Sequence, residues 1–268
     1  MSHRRHFSSW PVDRAGFAVL VGGQVAEREG DEGVFELASI AKLLAAMTAM
    51  IAIEEGSLDL DTGVDPPGAT VRHLLAHAAG YDFDSERTIA AVGSRRVYSN
   101  VGIEKYAEHL AGRTGMSYAQ YLRIGVLEPL GMDDTELYGS PAQGVRSTVA
   151  DVAALAAEFM RPTLVSDATL RMARTPVFPE LGGVLPGVGR FEPNPFGLAI
   201  EVKGDKSPHW SGSRTSPETF GHFGGAGTFL WVDPVIDIAA VALTDRPFDV
   251  WAMRSWPEWS DLVIEHIT

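Results

Sequence analysis

The chain contains no cysteine. Disulfides, thiolate nucleophiles and cysteine-ligated zinc are thereby excluded, and no redox compartment can be read from it. It also lacks any apolar run approaching the roughly 18 residues of a membrane-spanning helix. Basic residues are scarce: 22 Lys and Arg face 35 Asp and Glu, a formal net charge of −13 at pH 7. That balance argues against general affinity for nucleic acid or anionic membranes, which rests on clustered cations. It leaves the charge of a small substrate open. Motif absences narrow the chemistry further. No Gly-x-Ser-x-Gly occurs, so the nucleophile elbow of the α/β-hydrolases is missing. No Gly-x-Gly-x-x-Gly, P-loop or His-Glu-x-x-His marks a nucleotide or zinc enzyme, and no cofactor or metal is expected. Internal repeats and low-complexity tracts are absent too.

What is present is the composition of a globular protein, 268 residues with 45% hydrophobic and 21% charged. Arg4 and Arg5 precede an apolar stretch, residues 15–21, but Trp10-Pro11-Val12-Asp13-Arg14 interrupts it. The run is short for the apolar core of a signal peptide and reads better as a buried strand, so a cytoplasmic location is expected.

Taken in order, residues 16–22 and 24–28 read as a hairpin around Gly22-Gly23. Val34-Phe35-Glu36-Leu37 is a short extended piece. Residues 39–55 form a helix apolar on nearly every face, the pattern of a buried helix, which Gly56 stops. The Pro66-Pro67-Gly68 turn is a candidate subdomain boundary. Residues 70–78 read as a short helix capped by Thr70 and ended at Gly80, followed by helices over 101–112, 118–126, 147–160 and 166–173. Residues 175–195 hold five of the sixteen prolines and read as a long crossing loop. Strand patterns return over 197–202, 228–232 and 236–243, and residues 258–267 have helical spacing. His73 and His77, at i and i+4, have metal-ligand spacing, but no glutamate follows His73 and no third ligand is apparent, so two histidines buttressing a loop is the simpler reading.

Ser39-Ile40-Ala41-Lys42 stands at the head of the buried helix. Residues i and i+3 share a helix face, so the Ser39 hydroxyl and the Lys42 amine can meet. Ser39 also lies near the helix N-terminus, where unpaired N–H groups favour developing negative charge. Alone, the tetrad fits equally a helix cap and a solvated lysine. Two further clusters follow it, Tyr98-Ser99-Asn100 and His222-Phe223-Gly224-Gly225. Taken singly, Tyr98 could be a core tyrosine, Asn100 a helix cap and His222 a structural histidine.

In this order the three clusters resemble the active-site motifs of the penicillin-recognising serine hydrolases, in the branch of class C β-lactamases, D-Ala-D-Ala carboxypeptidases, D-aminopeptidases and related esterases. The segments Arg72-His73-Leu74-Leu75-Ala76-His77, Glu128-Pro129-Leu130-Gly131-Met132-Asp133-Asp134-Thr135 and Trp231-Val232-Asp233-Pro234 are similar to the family as well, so the likeness runs over about residues 16–247. It implies a β-lactamase-like fold: an antiparallel sheet flanked by helices, with one α/β subdomain split between residues 1–66 and 196–268 and an inserted, mainly helical subdomain at 67–195. It implies Ser39 as the acylated nucleophile and Lys42 or Tyr98 as its base, each needing a lowered pKa. Asn100 would bond Lys42 and the substrate, and the backbone N–H groups of Ser39 and Gly225 would form the oxyanion hole.

Two departures shape the expected substrate. His222 stands where most β-lactamases carry lysine, and Phe223 replaces a hydroxyl residue. A permanent cation and a hydroxyl for a substrate carboxylate are both missing. The expectation is therefore a serine hydrolase for a small ester or amide with an apolar group beside the carbonyl. The rivals are a weak β-lactamase or D-amino-acid peptidase, and a non-catalytic binding protein of the same fold. The family's N-terminal helix looks absent, which suggests a barer sheet face covered by a second subunit of a homo-oligomer.

Overall fold

The computed structural model describes residues 2–267. Gly22 and Gly23, at φ 62° and 83°, close the expected hairpin between strands Ala15–Val21 and Gln24–Gly30. This hairpin is one edge of a six-stranded sheet. Its order is Gln24–Gly30, Ala15–Val21, Ile238–Thr244, Thr228–Asp233, Phe220–Gly224 and Glu201–Val202, with antiparallel neighbours throughout. The two ends of the chain therefore build one sheet, locked by a register that pairs Ala15 with Thr244 and Val21 with Ile238.

Strands Thr228–Asp233 and Ile238–Thr244 are buried at every residue, because both faces of the sheet are covered. Alternate residues serve different cores. Leu230, Val232, Ala239, Val241 and Leu243 face the apolar helices Ala41–Glu54 and Val149–Met160. Phe229, Trp231, Ala240 and Ala242 face the closing helix Val250–Ile267, through Trp256 and Trp259. Trp231 Nε1 donates to Ser260 Oγ on that helix (3.1 Å). A short helix, His3–Phe7, packs on the closing helix, and Phe7 meets the Phe17 ring at 4.7 Å. The sheet face expected to be covered by a second subunit is packed by Phe7, Trp10 and the closing helix.

Other expectations need correction. The segment 175–195 is no bare loop: Gly183–Leu185 and Gly189–Phe191 pair around a turn at Gly187 (φ 75°), and Arg96–Val97 pairs in parallel with Gly183–Leu185. The strand expected over 197–202 shrinks to Glu201–Val202, because Ala199 turns left-handed (φ 55°) and gives its N–H to Leu75 O at 2.8 Å. The helix after Thr70 ends at Leu75, well before Gly80. His77 lies past its end at φ 54°, so His73 and His77 do not share a helix face. Ser99, not Asn100, caps Asn100–Thr114, its Oγ accepting the Gly102 N–H at 3.2 Å. The closing helix starts at Val250 and runs through Pro257. Among the described residues, no helix is long and apolar enough to cross a membrane.

Where the sheet meets the Ser39 turn the packing is backbone on backbone. A Cβ on Gly224 would lie 2.1 Å from Leu37 O and 2.4 Å from Thr228 Oγ1. Thr228 Oγ1 donates to that same Leu37 carbonyl at 2.9 Å. Gly224→Ala should therefore destabilise by about 2 kcal/mol through overpacking. Gly56→Ala, with open space around it but φ 72°, should cost only about 1 kcal/mol from the left-handed backbone. Urea titration of both variants checks this; equal losses would mean that the Gly224 contact relaxes freely.

Candidate active site

Ser39 sits on a single 3-10 turn, Ala38–Ile40, that feeds the α-helix Ala41–Glu54. The preceding Ala38 holds φ 47°, a left-handed conformation that costs a residue with a Cβ some energy. The strained step turns half-buried Ser39 toward a pocket it shares with Tyr98, His222, Phe223 and Gly225.

Lys42, on the first turn of the helix, is wholly buried. Its Nζ lies 2.6 Å from Asn100 Oδ1, 3.0 Å from Ala142 O and 3.1 Å from Ser39 Oγ. It also stands 4.8 Å from the centre of the Tyr98 ring. Asn100 Oδ1 and the Ala142 carbonyl can only accept, so they claim two N–H bonds whatever the charge state. The third position faces Ser39. In the neutral amine it is the lone pair, which accepts the Ser39 proton; in the ammonium it is an N–H, which donates back to Oγ. Burial lowers the Lys42 pKa to about 7, and the charges of Asp84 and Glu104 oppose that fall. The amine is thereby available as a base near neutrality.

Tyr98 is placed by its neighbours. Arg96, buried two residues earlier, donates to the carbonyls of Asn194, Ala76, Val177 and Phe178, fastening this segment to three others. The His77 ring packs 4.6 Å from the Tyr98 ring, and its Nδ1 accepts the Ser99 N–H at 3.3 Å. Burial raises the Tyr98 pKa well above that of a free phenol, and a hydrogen bond with Ser39 only partly opposes it. This corrects the expectation that positive charge would lower it. Burial dominates, and the charges of Glu201 and Asp84 add to the rise, while Lys42 lies over the ring face.

His222 and Phe223 lie on strand Phe220–Gly224, as their motif requires. His222 Nδ1 is 2.6 Å from Phe223 O, which can only accept, so Nδ1 carries the proton. Nε2 is left to accept from the Tyr98 hydroxyl at 3.2 Å. Burial, and then the Lys42 charge, lower the His222 pKa to about 4, so the ring is neutral at pH 7. Phe223 turns into the aromatic cluster, 4.6 Å from Phe248 and 5.7 Å from Trp210. Gly225 is exposed at the following turn, and its carbonyl accepts the Phe248 N–H at 3.0 Å.

All seven residues picked out by their motifs therefore converge: Ser39, Tyr98, His222, Phe223 and Gly225 line the pocket, with Lys42 and Asn100 bonded behind it. The remaining walls are Ala38, Phe83, Gln143, Leu185, Pro186, Gly187 and Phe248, and among the described residues no side chain lining the pocket carries a formal charge. Sequence reasoning missed Ala142, whose carbonyl leaves no side-chain signal, and the apolar walls, which arrive from distant loops. It also missed Asp84, which accepts from Asn100 Nδ2 at 2.7 Å. His73 takes the buttressing place: its Nδ1 accepts the Thr70 N–H (3.2 Å) and its ring stacks on Phe178 at 4.6 Å. Among the described residues, no group of three or more His, Cys, Asp or Glu could hold a metal.

Comparison with known proteins agrees with this geometry. The crystal structure of a β-lactamase from Mycobacterium bovis is 45% identical, covers 99% of each chain and superposes with a TM-score of 0.96. Penicillin-binding protein 4* of Bacillus subtilis (strain 168) is 29% identical over 140 residues, 39% of this chain and 31% of its own. The D-alanyl-D-alanine-carboxypeptidase/endopeptidase AmpH of Escherichia coli (strain K12) is 25% identical over 157 residues, 45% of this chain and 41% of its own. The chain thus aligns with less than half the length of these two curated relatives. The Beta-lactamase family model matches residues 12–259, nearly the whole of the sheet, the helices and the pocket just described, and the chain belongs to that family.

Proposed function

We propose that the protein is a serine hydrolase that cleaves a small, uncharged ester or amide through an acyl-Ser39 intermediate, with Lys42 as the base. The observation that carries this reading is the three-point placement of Lys42 Nζ on Asn100 Oδ1, Ala142 O and Ser39 Oγ. Two fixed acceptors aim the amine's third direction at the Ser39 hydroxyl, which opens on the pocket.

The steps follow. Lys42 takes the Ser39 proton as Oγ attacks the substrate carbonyl. The backbone N–H groups of Ser39 and Gly225 receive the oxyanion, each such donor being worth roughly 3 kcal/mol in the transition state. The tetrahedral adduct collapses, the leaving group departs with the proton held on Lys42, and the acyl group stays on Ser39. Water then repeats the sequence in reverse roles. Tyr98 remains a neutral phenol that bridges Ser39 and His222, because its burial opposes ionisation. His222, with a pKa near 4, is too weak a base to take the proton through Tyr98 when Lys42 at about 7 is closer.

A β-lactam is the second reading, favoured by the 45% identity to a protein described as a β-lactamase. The pocket argues against efficient turnover of one. A β-lactam carboxylate would meet neutral His222 and the Phe223 ring rather than a cation and a hydroxyl.

Three outcomes test the proposal. Ser39→Ala should lower turnover of a p-nitrophenyl ester by about a thousandfold or more, while the wild-type chain gains an acyl mass on Ser39 under rapid quench. Absence of both turnover and adduct would leave only a binding protein of this fold, and faster turnover of a chromogenic cephalosporin than of the ester would promote the second reading. kcat/KM for the ester should rise about tenfold per unit up to pH 7 and level above it, since the neutral amine is the active form. A flat profile between pH 5.5 and 8.5 would remove Lys42 from the role. Phe223→Ala should lower kcat/KM for a phenylacetyl ester about tenfold more than for an acetyl ester, by loss of apolar contact. Equal losses would mean the acyl group binds elsewhere.

A further inference from the structure

Behind Lys42 stand two carboxylates, one hydrogen bond beyond its acceptor Asn100 and two beyond its acceptor Ala142. Asn100 Oδ1 takes one Lys42 N–H at 2.6 Å, and Asn100 Nδ2 donates to Asp84 Oδ1 at 2.7 Å. Ala142 O takes the other at 3.0 Å. The Ala142 N–H donates to Ser140 Oγ at 3.1 Å, and Ser140 Oγ donates to Glu104 Oε1 at 2.5 Å. Two independent relays, from a loop and from the helix Asn100–Thr114, thus converge on one amine.

Each relay has a geometric consequence. An amide side chain can turn over, exchanging its oxygen for its nitrogen. Nδ2 facing Lys42 would set donor against donor and leave Lys42 with one acceptor fewer. Asp84, which can only accept, holds the orientation in which Oδ1 faces Lys42. Glu104 acts on a carbonyl that cannot flip alone, by fixing the Ser140 hydroxyl that pins the 140–142 turn. Each carboxylate also adds negative charge close to the amine without touching it.

We propose that Asp84 and Glu104 are positioning residues that fix the two acceptors of Lys42 and set the amine's affinity for its proton. This rests on the reading of Lys42 as the base. The other groups around Lys42 oppose or ignore the effect. Tyr98 presents its ring face, and His77 and His222 are buried and neutral, each held below its ordinary pKa in part by Lys42 itself. Asp84 and Glu104 are the negative charges that act on it.

The sign follows. Removing either charge makes the ammonium less favourable, so Lys42 loses its proton at lower pH. Asp84→Asn and Glu104→Gln keep an oxygen able to accept the Asn100 N–H or the Ser140 O–H, and so remove charge while preserving the bond. Each should move the acidic limb of kcat/KM for a p-nitrophenyl ester to lower pH by up to roughly one unit, with the plateau little changed. Asp84→Ala, which also frees the Asn100 amide, should lower the plateau several-fold as well. Glu108→Gln, on the same helix but exposed and one turn further on, should move nothing.

A readout independent of turnover separates this inference from the function it rests on. The chain has only four lysines, Lys42, Lys105, Lys203 and Lys206. With 13C-labelled lysine, the Lys42 Cε resonance can be titrated directly in the full chain and assigned with Lys42→Arg. A Lys42 pKa that falls in Asp84→Asn and in Glu104→Gln, with near-additive shifts in the double variant, is the expected result. An unmoved Lys42 resonance in two folded variants overturns the inference, whether or not the ester is hydrolysed. A shifted resonance in a chain without Ser39-dependent turnover would instead sink the proposed function and leave the relays standing.

Discussion

The constraint on which the rest of the structure depends is the burial of one amine. Bringing Lys42 from an ordinary pKa of 10.5 to about 7 means its charged form is disfavoured by about 5 kcal/mol relative to water. That penalty is full below pH 7 and fades as the pH rises from 7 to 10.5, because only the folded state sheds the proton in that window. A cost of this size is comparable to the whole net stability of many domains. It must be offset by the packing around it, and the apolar helix Ala41–Glu54, buried along almost its entire length, supplies much of that packing. The same burial that is costly for folding is what would make the amine a base at neutral pH. The two acceptors, Asn100 Oδ1 and Ala142 O, keep its N–H groups satisfied in either charge state.

The sheet serves that amine indirectly. Strand Phe220–Gly224 can lie against the Ser39 turn only because Gly224 has no side chain, and Thr228, across the hairpin, bonds the Leu37 carbonyl. His222 thereby reaches Tyr98, which Arg96 and His77 hold from the opposite side. The pocket's polar atoms come from four separate segments, and many of the bonds that anchor them end on backbone groups. Such anchoring supplies the preorganisation that acyl transfer requires.

Much of this was legible in the sequence, for identifiable reasons. The hairpin at Gly22-Gly23, the apolar run after Ser39 and the strands after residue 228 follow from local glycine geometry and from hydrophobic period. The three motifs could be placed in order because each is short and chemically marked. What escaped reading is non-local. Gly183–Leu185 becomes a strand through pairing with Arg96–Val97, some ninety residues earlier, against a background of proline that reads as loop. Ala199 and His77 adopt left-handed backbone that their residue types do not announce. The direction of the Tyr98 shift escaped reading because the sequence shows that a cation is near but not that the tyrosine is buried. Glu104, one helical turn after Asn100, carried the only local hint of the groups behind Lys42.

The choice between ester and amide follows from how few protons the site has to offer. In the proposed mechanism the Tyr98 proton is committed to His222 Nε2, and His222 commits its own Nδ1 proton to a backbone carbonyl. Neither can be released without leaving a buried acceptor unsatisfied. The leaving group therefore has one source, the proton that Lys42 took from Ser39. An alcohol or phenol departing from an ester needs little of that proton in the transition state, whereas an amine departing from an amide needs nearly all of it. A base whose conjugate acid has a pKa near 7 is strong enough to accept from Ser39 once attack begins. It is also acidic enough to return the proton, but along a single path. Under the proposed mechanism, that single path would favour esters with apolar acyl groups over anionic peptides, in a pocket walled by Phe83, Leu185, Phe223 and Phe248.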